Sequence, residues 1–125
     1  MSDQPSKAQK IAGIVLTALP GLMLLMSAGM KLSGSPEVVE GFGKFGFDAA
    51  TIRPIGITEA IVALLYLIPK TSFLGAILAT GYLGGAVCTH LRVGDPWTVP
   101  FLFGVVVWIG FGLRRPGVIK SAFGL

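Results

Sequence analysis

Apolar residues fall into four runs, with most of the charges gathered at their edges. The first run, residues 11–30, carries no charge; Lys7 and Lys10 precede it and Lys31 ends it. A run of about 20 residues makes about 30 Å of helix, enough to cross a bilayer core. Pro20-Gly21 sits at its middle. Proline removes the backbone bond to the Leu16 carbonyl and predicts a kink, which helices in lipid tolerate. A cleaved signal peptide is the alternative, with Ser27-Ala28-Gly29 as a small-x-small site. The run is long for such a segment, so it reads as a retained helix. The second run, 54–68, starts at Pro54, is stopped by Pro69-Lys70 and is interrupted by Glu59. It is expected to be the weakest span on hydropathy. The third, 73–90, is followed by Arg92, and the fourth, 97–113, is stopped by Arg114-Arg115-Pro116.

The connections add detail. Between the first two runs, Val38, Val39, Phe42 and Phe45 fall at helical spacing after Ser35-Pro36. Ser35 suits an N-cap and Pro36 a first helical residue. This predicts a short amphipathic helix lying in the membrane interface and ending near Gly46. The short turn from Pro69 to Ser72 makes the second and third spans a hairpin. The third span is rich in small residues, and Gly81-x-x-x-Gly85 has the spacing that lets helices approach closely in lipid. It is expected to pack centrally in the bundle or to form a dimer face. The fourth span is bulkier and suits lipid contact, with Trp97 in an interfacial belt. The expected fold is all-α: an integral membrane, antiparallel four-helix transmembrane bundle of left-handed type, in one domain over residues 1–125.

Composition narrows the class. The chain has 125 residues, 53% of them hydrophobic and only 13% charged. Its mean hydropathy is +0.79. A soluble enzyme needs more polar surface, and a disordered chain needs far fewer apolar residues. The net charge is +4, but the ten Lys and Arg residues are scattered without a dense run. That argues against nucleic acid and for a lipid bilayer as the main partner. Lys7, Lys10, Lys70, Arg114, Arg115 and Lys120 fall on one side of the four spans; Lys31, Lys44, Arg53 and Arg92 fall on the other. The larger group predicts both termini in the cytoplasm. Cys88 is the sole cysteine. In Cys88-Thr89-His90, residues two apart point about 200° from each other on a helix and cannot share an ion. Cys88 is therefore expected to be a small buried packing residue.

Four residues invite a chemical reading: Lys31, Glu59, His90 and Arg92. The first span ends, the second begins and the third ends at the same membrane face. Glu59 sits about four residues, or ~6 Å, inside the second span. A carboxylate at that depth costs several kcal/mol unless it is paired, protonated or hydrated. Lys31 and Arg92 are the available cations. The cluster reads as a structural ion pair, as a polar pocket for a small polar or quinone-like head group, or as a proton relay. His90 is the only histidine and too thin a basis for a metal site. Arg92-Val-Gly-Asp95-Pro96 reads as a turn into the fourth span.

At these residues the sequence resembles a known family. The strings are Ser27-Ala-Gly-Met-Lys31-Leu32, Ile57-Thr-Glu59, Ile68-Pro69-Lys70, Leu74-Gly75-Ala76 and, most specific, Gly84-Gly85-Ala86-x-x-Thr89-His90-Leu91-Arg92-Val93-Gly94-Asp95. In this order and spacing they resemble the DoxX-like family of small bacterial membrane proteins with four helices, from about residue 11 to residue 115. The resemblance implies a multi-pass protein of the bacterial inner membrane. The wider DoxX/DoxD group is named for a membrane subunit of a thiosulfate:quinone oxidoreductase, and some relatives are linked to redox partners. The chain itself has no Cys-x-x-Cys, no histidine pair for haem and no glycine-rich nucleotide loop. No cofactor is evident, though quinone fits the resemblance. The expected role is a non-catalytic membrane subunit or small-ligand-binding protein, with a polar pocket formed by Lys31, Glu59, His90 and Arg92. The alternatives are a quinone-reactive membrane anchor working with a redox partner protein, or a small transporter, which at four helices needs a homo-oligomer.

Overall fold

The computed structural model describes residues 4–125, which form helices and turns and no strand. Helix α1 spans Lys7–Ser33, α2 Pro36–Gly43, α3 Ala49–Leu67, α4 Ser72–Arg92, α5 Thr98–Arg114 and α6 Pro116–Ala122. A 3₁₀ turn, Pro69–Thr71, joins α3 to α4. The first apolar run is thus the middle of a longer helix. Ser6 caps α1 in a reciprocal box with Gln9, which starts the helix four residues before the apolar run. Helix α1 passes through Pro20 as one element, and Gly34 ends it with φ of +68°. Ser35 caps α2 and Pro36 opens it, as expected from the sequence.

Two features differ from expectation. Helix α3 begins at Ala49, not Pro54, because Asp48 caps it through the Thr51 backbone N–H at 2.9 Å. Pro54 therefore lies inside α3, and Arg53 is helical. Helix α5 is followed by α6, bent from it by 115°, where the sequence suggested only a stop at Arg114-Arg115-Pro116. By length and hydropathy, α1, α3 and the Pro69–Arg92 stretch are each long and apolar enough to cross a membrane. Helix α3, at a mean hydropathy of 1.5 against 1.4 for Pro69–Arg92, is not the weakest of them as expected, because the small residues of α4 lower its value more than Glu59 lowers that of α3. Helix α5 reaches that standard only together with α6. Large apolar side chains stand exposed along α1, α3, α4 and α5, including Leu22, Ile61, Ile77 and Phe101. An outer surface of this kind suits lipid and not water.

Helix α1 packs on α3 and α5, and α4 packs on the same two helices. The four form a ring, so α4 is no more central than its neighbours. The core is Leu24, Val62, Ala63, Tyr66, Ala76, Ala79, Leu83, Val107 and Phe111. Phe111 and Val107 are fully buried, so the bulky fourth span, expected to suit lipid contact, also fills the core. Close approach is provided by glycines on four helices. A Cβ on Gly75 would stand 2.2 Å from the Tyr66 nitrogen, and one on Gly110 would stand 2.6 Å from the Leu16 oxygen. Gly81 and Gly85 are different: a Cβ at either meets nothing within 4 Å. The small-residue motif expected to pack α4 within the chain does not do so; Gly75, with Ala76 and Ala79, does. Cys88 is exposed, not buried, because it lies roughly 140° around α4 from buried Leu83.

Candidate functional site

The site begins with one buried carboxylate. Glu59 is only 2% exposed and sits on the face of α3 that also buries Ile52, Gly56, Val62 and Ala63. Lys31, in the last turn of α1, reaches its Oε2 at 2.8 Å. The same ammonium donates to Ser27 Oγ, one turn earlier on α1, at 2.6 Å. Gly56 makes this meeting feasible, since a Cβ there would stand 2.9 Å from the Lys31 Cβ. The Tyr82 hydroxyl of α4 donates to the same Glu59 Oε2. One carboxylate oxygen therefore takes both donors. The other, Oε1, is buried and has no hydrogen-bond partner among the described residues.

A cavity of about 590 Å³ lies against this group. Glu59, Lys31, Tyr82, Ser27 and His90 line it, with Phe42, Phe45, Phe47 and Phe103 as aromatic walls. Its wall is mostly apolar with a polar patch at Glu59. His90 is held by Nδ1 against the Ala86 carbonyl at 2.6 Å, and its ring lies 4.8 Å from that of Phe45. Lys31 Nζ stands 5.4 Å from the centre of the Phe42 ring, a cation–π contact.

Of the four residues expected to converge, three share the cavity. Arg92 does not: it is exposed, and its Nη2 donates to the Phe45 carbonyl at 2.9 Å. It ties the segment after α2 to the end of α4 and is no partner of Glu59. His90 and Arg92 are two residues apart on one helix, the spacing that sends side chains to opposite sides. Tyr82, Ser27 and the phenylalanines join the site although the sequence does not plainly mark them as part of it. Tyr82 had a signal, since residues 82, 86 and 90 recur every four on one face of α4. Among the described residues, no three His, Cys, Asp or Glu side chains gather as a metal-ligand group.

A second polar cluster lies at the other end of the bundle. Arg114 donates through Nε to Thr17 Oγ1 at 3.0 Å and through Nη2 to Ser72 Oγ at 2.7 Å. It joins the end of α5 to α1 and α4. Near it, the buried Tyr66 hydroxyl donates to the Val107 carbonyl at 2.7 Å. None of these contacts was evident from sequence.

No curated protein and no solved structure matches the chain. A family model does match, over residues 15–110, a stretch that holds Lys31, Glu59, Tyr82 and His90. With its apolar helices this makes the chain a membrane protein, and it belongs to the DoxX-like family.

Proposed function

We propose that α1, α3, α4 and α5 form an antiparallel four-helix transmembrane bundle in the bacterial inner membrane, and that its cavity binds a small ligand on Glu59. The pairing of Gly21 with Leu67 and of Gly56 with Lys31 supports opposed directions for α1 and α3. The observation that carries the ligand reading is the unpartnered, buried Oε1 of Glu59 at the cavity wall. A buried acceptor left unsatisfied costs about 1–3 kcal/mol, and more when charged. A ligand that donates a hydrogen bond there recovers that energy. Lys31 has three donors, two of them used by Ser27 and Glu59. The third suits an acceptor on the same head group, so a hydroxyl or amide head fits. The pocket residues are Lys31, Glu59, Tyr82 and His90, and the role is ligand binding without catalysis.

A second reading, a quinone-reactive anchor for a partner oxidoreductase, draws on the aromatic walls Phe42, Phe45, Phe47 and Phe103, which suit a planar ring. Native mass spectrometry of the detergent-purified protein tests the ligand reading. Wild type should carry an extra mass that Glu59→Gln loses, because the amide replaces one acceptor by a donor. Bare protein in both samples, with only the variant less stable, would make the cluster a structural ion pair.

A further inference from the structure

The cavity around Glu59 has two rims of different build. One is covered by the segment that carries α2. Phe42, Phe45 and Phe47 line the cavity from this side. Three contacts tie the segment down: Arg92 to the Phe45 carbonyl, His90 against the Phe45 ring, and Lys31 under the Phe42 ring. The strap is bounded by two glycines with positive φ, Gly34 at +68° and Gly46 at +86°. It covers the end of the bundle where a polar solute from water would approach.

The other rim is the side of the bundle. Met23, Met26 and Met30 of α1 and Val99 of α5 line the cavity, yet Met26 is 64% and Val99 66% exposed. Side chains that both line a cavity and face outward stand at its mouth. At the opposite end α1 and α5 meet nearly backbone to backbone, at Gly110 against Leu16 and Gly13 against Arg114. The pair is closed at one end and parted at the other. The surrounding helix surface is apolar, so the mouth opens on hydrocarbon. Methionine is unbranched and flexible, which suits a rim that must yield.

We infer that the cavity is filled sideways from the bilayer, between α1 and α5, by a membrane-dissolved amphiphile whose small head donates to Glu59 Oε1. This deepens the ligand reading above and rests on it. An amphiphile already lies with its head near the interface and its tail in hydrocarbon. It passes the methionine rim without displacing the three phenylalanines. The strap keeps water from the Glu59–Lys31 pair, whose interaction is stronger in a drier setting.

Access can be read without knowing the natural ligand. Ala86 lines the cavity and is half-buried. Ala86→Cys in a Cys88→Ser background, reconstituted in phosphatidylcholine vesicles, gives one reporter thiol; Thr89→Cys, on the same wall, replaces it if the first does not fold. The probes are N-dodecylmaleimide and a sulfonated, membrane-impermeant maleimide supplied on both sides. The dodecyl reagent should label more than about tenfold faster, because its chain concentrates it in the bilayer. Met26→Trp should slow that reagent and leave the impermeant one unchanged. Arg92→Ala should release the strap and speed the impermeant reagent alone. Equal rates with the strap intact, or no effect of Met26→Trp on the dodecyl reagent, would overturn sideways access. That failure leaves a Glu59-dependent adduct standing. Sideways labelling with no such adduct would instead overturn the ligand, and with it the amphiphile.

Discussion

The two ends of the bundle each hold a charged side chain among apolar helices, and they treat it differently. At one end, Arg114 is shared between two hydroxyls, Thr17 and Ser72, on two other helices. Around it, Gly13 and Gly110 let α1 and α5 close on each other. At the other end, Glu59 receives Lys31 and Tyr82 on one oxygen and nothing on the second, and the helices part around a cavity. The first arrangement spends its hydrogen bonds on joining helices. The second keeps one acceptor in reserve. On the proposed reading, charge alone does not separate the two ends; unspent hydrogen-bonding capacity beside open space does.

This contrast can be broken in graded ways. The largest effect is expected at Lys31. Lys31→Met leaves Glu59 without its cation and should cost about 3–5 kcal/mol, as for other severed buried pairs. Unfolding in detergent, followed by helical signal, measures it. Gly75→Ala forces a methyl into the Tyr66 backbone and should cost about 3 kcal/mol. Gly81→Ala and Gly85→Ala meet nothing and should be neutral or stabilise by about 0.5–1 kcal/mol, the ordinary gain of alanine over glycine in a helix. Equal losses at Gly75 and Gly81 would contradict the packing described. At the closed end, Arg114→Met strands the Thr17 and Ser72 hydroxyls and should cost about 2 kcal/mol with no loss of any Glu59-dependent adduct.

The smallest effect is expected at Asp48, outside the spans. The Thr51 hydroxyl, and then the Thr51 backbone N–H, hold its carboxyl below the usual aspartate range. Its contribution is present above the ordinary aspartate value, about 3.9, and fades as pH falls through the depressed folded value. Asp48→Ala should remove that acid-side component of stability and fray the start of α3. A stability-against-pH profile identical to wild type would contradict the cap.

Much of this could be read from the chain, and the failures have physical causes. Long apolar runs located α1, α3, α4 and α5 because spanning length is a local property. Lys31 with Glu59 was legible because the depth of a carboxylate demands a nearby cation. Helix α3 began early because Asp48 competes with Pro54 for the start, and a cap bonded to Thr51 prevails. Arg92 shares a span end with the cluster, but its two-residue offset from His90 points it elsewhere. Gly75 and Ala79 have the same small-x-x-x-small spacing as Gly81 and Gly85. Only the facing helix decides which pair is used. Arg114 looked like a stop signal because its partners, Thr17 and Ser72, are distant in sequence.

On the proposed function, Glu59 Oε1 is an acceptor held for a ligand. The most direct measurement is an experimental structure of the wild-type protein in a lipid nanodisc, at a resolution that shows side-chain partners. The predicted result is an elongated non-protein density in the cavity, its head about 2.8 Å from Oε1 and its body among the phenylalanines. An Oε1 paired with a protein group, or a cavity closed by repacked side chains, would contradict it.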